Sequence, residues 1–169
     1  MTHNALLRWT ALIVLSTGLL GSCGFALRGS NSISSNFEAL ALDIDLPNSE
    51  FGRLLRRSLQ VAGVETTVSA NSTELAVLRV SNERLVNRAV TVNPRARAAQ
   101  YEIRLSVDIS LDRADVSILA PQTLTVERTY FEDIANIAGT RDEVEIITNE
   151  MRRDLVDQLL RRLEASTHS

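Results

Sequence analysis

The chain has 169 residues, with 18 basic and 21 acidic side chains and a formal net charge of −3 at pH 7. This acidic balance excludes nucleic acid as a general partner, and the length suffices for one domain with a proper hydrophobic core. All 18 basic residues are arginine. The planar guanidinium suits phosphate and carboxylate, although a compositional bias of the genome explains the same observation.

The first segment has the features of a lipoprotein export signal. Residues 1–8 carry one fixed positive charge, an apolar stretch runs from Trp9 to Leu20, and Gly21-Ser22 precede Cys23, which is the one cysteine of the chain. An apolar stretch of about a dozen residues is too short to cross about 30 Å of hydrocarbon, but it suits a signal peptide. We predict cleavage before Cys23, although an ordinary signal peptide with a chance cysteine nearby is the alternative.

Lipidation of Cys23 would anchor the rest of the chain to a membrane. Cys23 would carry a thioether-linked diacylglycerol and an N-acyl chain such as palmitate, and these chains give durable anchoring. The next residue is Gly24 rather than Asp, so we expect sorting to the periplasmic face of the outer membrane. The expected organisation is a signal peptide (1–22), a lipidated tether (23–37), one domain (38–164) and a polar tail (165–169).

The first half of the domain contains one amphipathic helix between short strands. Residues 40–46 alternate in part and predict a strand that ends at Pro47. Asn48 or Ser49 can cap the following helix, and Gly63 provides its stop. Strands are then predicted over residues 64–68 and 75–86.

The second half contains the clearest periodicity. Apolar and polar residues alternate from Tyr101 to Asp112, which predicts a strand with one solvated face. A further strand is predicted over 123–131, with the turn before it at either 112–115 or 120–122. Thr140 and Glu143 have the spacing of a capping box for a final helix, whose apolar stripe reaches Leu163. We predict an α+β two-layer sandwich in which two amphipathic helices pack on one face of a mixed four- to five-stranded sheet.

The sequence offers little for catalysis, and we predict a protein that is not an enzyme and has no cofactor or metal. His3 leaves with the signal peptide and His168 lies next to the end of the tail, so neither serves a Ser–His nucleophile or a metal site. Acidic pairs such as Asp112/Asp115 could serve glycoside hydrolysis, but turn formation and solvation account for them better.

One charged segment is a candidate binding site. Residues 79–104 contain six arginines and two acids. Arg88, Arg95 and Arg97 cluster around Asn93-Pro94, where two long strands should connect. These side chains are either ordinary solvated loop charges or an anion site. Lipopolysaccharide is the abundant phosphorylated ligand of an outer membrane, and Arg binds phosphate in a bidentate manner.

Several segments resemble the LptE family of lipopolysaccharide-assembly lipoproteins. Cys23-Gly24-Phe25-Ala26-Leu27-Arg28-Gly29 is similar to the start of the mature family proteins. The resemblance continues through residues 59–65, 99–101, 128–131, 150–151 and 158–163, with Ala26 where relatives often carry something larger and polar. The family fold is two helices packed on a four-stranded sheet.

The resemblance implies a subunit of the lipopolysaccharide translocon. It would plug the outer-membrane β-barrel LptD, assist the assembly of that barrel and bind lipopolysaccharide during delivery. Basic residues before the long strand and near the last helix are implied as lipopolysaccharide ligands, here Arg95 and Arg97 and then Arg141. Pro94 and Thr140 depart from the family pattern around these positions. The alternatives are an accessory lipoprotein of another outer-membrane machine, such as barrel insertion, and a carboxylate enzyme.

Overall fold

A computed structural model describes residues 31–68, 75–92, 98–132 and 137–166. The predicted signal peptide, the lipidation residue Cys23, the arginines Arg95 and Arg97 and residues 167–169 of the tail lie outside these ranges. The elements, in chain order, are α1 Asn31–Asn36, β1 Ala39–Ile44, α2 Glu50–Val61, β2 Glu65–Thr67, β3 Ala76–Val92, β4 Ala98–Arg113, β5 Val116–Phe131 and α3 Ile137–Ala165.

The strands form one mixed sheet in the order β2-β1-β3-β4-β5. β1 runs parallel to both β2 and β3, whereas β3, β4 and β5 form an antiparallel meander. The helices α2 and α3 pack on one face of this sheet and on each other. This arrangement confirms the predicted two-layer α+β sandwich with a mixed sheet.

The core lies between the sheet and the helices, and it follows the two predicted periodicities. Alternate residues of β4 are buried because only one face of this strand meets the helices. The buried apolar side chains of β4 are Ile103, Leu105, Val107, Ile109 and Leu111, those of α2 are Phe51, Leu55 and Leu59, and those of α3 are Met151, Leu155, Val156, Leu159 and Leu163.

The segment before β1 is more ordered than the tether that the sequence predicts. Residues 31–36 form the short helix α1, which contacts α3. Ile33 and Phe37 are only 2% and 3% exposed and belong to the core cluster. The folded domain therefore begins before residue 38, because these two side chains complete the apolar layer.

Three element boundaries bear on the predictions. One decides between two predicted alternatives, and two differ from the predicted positions. β4 and β5 are joined at Ala114 and Asp115, the first of the two alternatives, and Ala114 has a φ of 50° in the left-handed region. β3 continues to Val92 rather than ending near residue 86, because pairing with β4 stabilises it after its apolar pattern fades. The last helix begins at Ile137, so Thr140 lies inside it and the predicted cap position is wrong.

The geometry at the start of α2 explains why a glycine, Gly52, stands in the first turn of this helix. Ser49, one of the two predicted cap residues, caps this helix. Its hydroxyl accepts a hydrogen bond of 3.0 Å from the Gly52 amide. A Cβ at position 52 would lie 2.9 Å from the Leu46 carbonyl oxygen and 3.1 Å from that of Pro47. Glycine therefore lets the chain leaving β1 pass close to the helix.

We expect Gly52→Ala to destabilise the domain by about 1–3 kcal/mol, because the added methyl group meets backbone atoms that have to shift. Helix propensity alone would favour Ala by about 1 kcal/mol, so the sign of the change is diagnostic. Urea denaturation of the isolated domain measures it, and Ser58→Ala on the same helix is the control for propensity. A stabilised Gly52→Ala variant would contradict the close approach.

Candidate functional site

The sheet face opposite the helices is lined with charged and polar side chains. Arg88 Nε donates to Glu102 at 2.9 Å, Arg104 Nε lies 2.6 Å from Glu127, and Arg104 also lies 3.6 Å from Glu102. These four residues form a network that crosses β3, β4 and β5. We call this surface the open face of the sheet.

A second network lies nearer the start of β3 on the same face. Arg79 donates to Asp112 at 2.6 Å and lies 3.6 Å from Asp43, so it connects β1, β3 and β4. Carboxylates from other strands therefore neutralise part of the positive charge that the sequence concentrates in residues 79–104. The basic segment is less positive in the fold than its linear composition indicates.

Arg88 is an anchored member of the predicted anion site. Its side chain is 59% exposed while Glu102 is only 15% exposed, so a largely buried carboxylate holds an exposed guanidinium. The hydrogen bond and negative charge of Glu102 raise the pKa of Arg88. A guanidinium that is held through Nε can still offer its two terminal nitrogens to a phosphate or carboxylate.

The predicted site residues do not share one surface. Arg88 belongs to the open face, whereas Arg141 is exposed on α3, in the helical layer. Gln100 pairs with Phe131, so the connection between β3 and β4 and the start of α3 lie at the same end of the sheet. The ends of β3 at Val92 and of β4 at Ala98 therefore lie at the end of the sheet that also carries Arg141, whereas Arg95 and Arg97 are outside the described residues.

An aromatic cluster near this end was missed by the sequence reasoning. The rings of Tyr101 and Tyr130 stack with centroids 5.3 Å apart and an interplanar angle of 13°. Asn87 donates to the Tyr130 hydroxyl at 2.9 Å, and the Tyr101 hydroxyl donates to Glu132 at 3.4 Å. Burial raises the pKa of Tyr101, with the charge of Glu132 as the next cause. The cluster connects β3, β4 and β5. Knowledge of the pairing register of these strands would have been needed to predict it.

A bulge bends β3 between its two halves. The pairing with β4 shifts between Ser81 and Arg84, and Asn82 lies in the left-handed region with a φ of 54°. The Asn82 amide donates to Asp108 at 2.7 Å, and the Thr123 hydroxyl donates to the same carboxylate at 2.5 Å. These bonds favour the charged form and lower the pKa of Asp108.

We expect Asp108→Asn to destabilise the domain at neutral pH, with a difference from the unsubstituted chain that shrinks in acid. A carboxylate with a depressed folded-state pKa stabilises the fold above its unfolded pKa of about 3.9, and this contribution is lost as the pH falls through the folded-state pKa. Urea denaturation at pH 7 and at successively lower pH measures the difference. A constant difference across that range would contradict the ionised role of Asp108.

The described residues show no arrangement that identifies a reaction. They contain no group of three His, Cys, Asp or Glu side chains that could hold a metal ion. In the same ranges, none of the helices combines the length and the apolar character needed to cross a membrane. The features that the described fold does present are surfaces: a charged open face, a long β3–β4–β5 meander and a helical layer.

This fold is shared with small bacterial lipoproteins. The crystal structure of rare lipoprotein B from Shewanella oneidensis is similar with a TM-score of 0.68 and 23% identity, covering 76% of this chain and 95% of that one. The solution structure of a lipoprotein B from Nitrosomonas europaea has a TM-score of 0.71 and 22% identity, covering 86% and 94%. At these identities the likeness establishes the architecture.

The sequence comparison establishes the family. The LptE family model, described as lipopolysaccharide-assembly, matches residues 37–163, and the chain therefore belongs to the LptE family. The LPS-assembly lipoprotein LptE of Pectobacterium atrosepticum is 26% identical over 155 residues, which cover 92% of this chain and 84% of that protein. The protein of the same name from Photorhabdus laumondii is 28% identical over 163 residues, covering 96% and 87%. The resemblance stated from the sequence is confirmed.

Proposed function

We propose that this chain is an outer-membrane lipoprotein, anchored at the periplasmic face through acylated Cys23, that plugs the lipopolysaccharide-translocon barrel LptD. In this role it assists assembly of the barrel and binds lipopolysaccharide during delivery to the outer leaflet. Membership of the LptE family over residues 37–163 carries the proposal, and it supports a role in lipopolysaccharide assembly.

The open face of the sheet suits a protein that sits inside a barrel. The interior of a large outer-membrane barrel is polar, so a plug has to present polar side chains to it. The open face does so through the cross-strand networks of Arg79, Arg88 and Arg104. Because the helices cover the other face, the apolar core stays closed while the open face is available for contact.

Lipopolysaccharide binding would use guanidinium groups at the end of the sheet that carries the β3–β4 connection. Arg88 flanks this connection in β3, and Arg95 and Arg97 lie in it. Guanidinium forks would compete with divalent cations for the lipid A phosphates and so help to disperse aggregated lipid. The mechanism is binding rather than turnover, and it requires no reactive group.

Co-purification from membranes tests the proposal. The full-length chain with a C-terminal tag is extracted in mild detergent, with a Cys23→Ala chain as the matched unacylated control. We expect the acylated chain to recover a barrel several times its own mass, and mass spectrometry to find the lipid on Cys23. Recovery of the monomeric lipoprotein alone would contradict the proposed partner.

Depletion of the chain separates this function from service to another outer-membrane machine. If the chain acts on LptD, its loss lowers surface lipopolysaccharide while other barrels remain folded at normal levels. A general loss of outer-membrane barrels would instead favour a role in barrel insertion.

A further inference from the structure

The strand β3 continues well past its parallel neighbour. The pairing with β1 runs from Ala76 to Val80 and stops there, whereas β3 itself extends to Val92. Among the described residues, the part of β3 from Ser81 to Val92 therefore has a strand on one side only, namely β4. We call the other side of this segment the open edge of β3.

The register indicates which peptide groups face the open edge. The Val80 carbonyl accepts a hydrogen bond of 3.1 Å from the Asp45 amide, so the peptide groups of Val80 are directed away from β4. Peptide groups of successive residues alternate in direction along a strand, and the bulge shifts this alternation by one residue. Leu85 and Asn87 consequently direct their N–H and C=O groups outward, toward the open edge.

The two outermost edges of the sheet are protected against strand addition in ways that natural sheets commonly use. β2 is only three residues long, and short edge strands offer little to pair with. On β5, Arg128 lies on the helix-facing side of the strand and pairs with Asp154 of α3. A charge on the inner side of an edge strand disfavours an added strand because it would have to be desolvated.

The open edge of β3 is neither short nor closed by a charge on the helix-facing side, and it carries exposed apolar side chains between Arg84 and Val92. Nine large apolar side chains of the described residues are exposed, and three of them, Leu85 (50%), Val86 (40%) and Val90 (50%), lie on this segment. At its base is a recess of about 200 Å³ whose apolar wall is formed by Ile44, Leu46 and Val80 and whose remaining lining is polar, from Asp45, Ser81, Asn82 and Glu83. The recess lies where β1 ends, and it can receive an apolar side chain of a strand that continues beyond β1.

We infer that the open edge of β3 accepts an extended segment of a partner protein as an added strand. Main-chain hydrogen bonds to Leu85 and Asn87 would supply affinity, and alternate side chains of the partner would supply specificity. Arg84 is exposed, and within the described ranges its charge acts on Asp108 without forming a salt bridge. The fitting partner segment therefore alternates apolar and polar residues and places a carboxylate opposite Arg84.

A second copy of this chain fits the edge less well than such a partner. Symmetric antiparallel pairing of two copies centred on Val86 would place Arg84 of one copy opposite Arg88 of the other. Like charges directly opposite each other destabilise a strand pair. In this register the arginines oppose self-association, whereas they favour an acidic strand.

The inference rests on the proposed function for the identity of the partner, which would be the LptD barrel. We place a photo-cross-linking residue at position 85 in the full-length acylated chain and, as a control of similar exposure, at position 146 on α3. We expect the adduct with the barrel to be at least about fivefold stronger from position 85 and to map to one extended segment. Equal adducts from both positions, or a dimer of this chain, would overturn the inference.

A backbone variant tests strand addition itself. Asn87→Pro removes an amide that faces the open edge, whereas Asn87→Thr removes the side-chain bond to Tyr130 but keeps the amide. We expect the proline variant to lose most of its co-purified barrel and the threonine variant to retain it, with both melting within a few degrees of the unsubstituted chain. If the proline variant does not fold, the cross-linking result decides.

The outcomes separate this inference from the proposed function. A barrel that co-purifies normally with Asn87→Pro overturns the added strand and leaves the proposed function standing. Absence of the barrel from material purified with the unsubstituted chain contradicts both.

Discussion

Leu155→Ala is expected to lower the free energy of unfolding by about 3 kcal/mol, within the range of about 2–5 kcal/mol found for buried leucines. Leu155 is 0% exposed and lies in the α3 stripe that faces the core. Truncation removes apolar contacts and leaves a cavity that the sheet and α2 can fill only in part. Urea or thermal denaturation of the isolated domain measures the change.

Ile146→Ala on the same helix is the matched control, because Ile146 is 60% exposed. We expect this substitution to change the free energy of unfolding by less than about 0.5 kcal/mol. Similar losses from the two substitutions would mean that α3 presents a different face to the sheet. The comparison therefore tests the orientation of the helix as well as its burial.

Local periodicity predicts those parts of this fold in which one face alone is buried. The alternation of β4 from Tyr101 to Leu111 identifies its strand and its inner face, because the apolar residues from Ile103 onward are buried and the polar residues between them, apart from the buried Ser110, reach solvent. The stripe of α3 likewise identifies Met151, Leu155 and Leu159 as core residues. The fold class and the order of the helical and sheet layers then follow, because amphipathic elements bury their apolar sides against one another.

Local periodicity does not predict short or weakly patterned segments. Helix α1 spans only six residues, Asn31–Asn36, and offers no second turn over which Ile33 could repeat. Its burial depends on tertiary contact with α3. The start of α3 was missed for a related reason, since the Thr140 and Glu143 spacing of a capping box also occurs inside helices.

The candidate site was less predictable than the fold because its charges are paired across strands. Arg79 meets Asp112 and Arg88 meets Glu102, and these partners are distant in sequence. Only the register of β3 against β4 brings them together, and a one-residue slip would place them on opposite faces. The excess of arginine in residues 79–104 was visible in the sequence, but its partial neutralisation was not.

Arg95 and Arg97, the arginines of the β3–β4 connection, are expected to contribute to lipopolysaccharide binding. We expect the double variant Arg95→Ala/Arg97→Ala to fold normally and to bind lipopolysaccharide at least about tenfold more weakly, because each charge-assisted bond contributes about 1.5–3 kcal/mol. The loss should be largest at low salt, since exposed charges are screened as ionic strength rises. Binding to purified lipopolysaccharide at two salt concentrations, with a melting curve for each variant, measures it.

The double variant Arg57→Ala/Arg153→Ala provides the matched control, because it removes the same charge from exposed positions on α2 and α3. Equal weakening in both double variants would indicate attraction to overall charge rather than a site at the β3–β4 connection. Unchanged affinity in the Arg95/Arg97 variant would exclude these two residues and direct attention to Arg88 and Arg141. A selective loss would locate phosphate recognition at the end of the sheet where β3 ends and β4 begins.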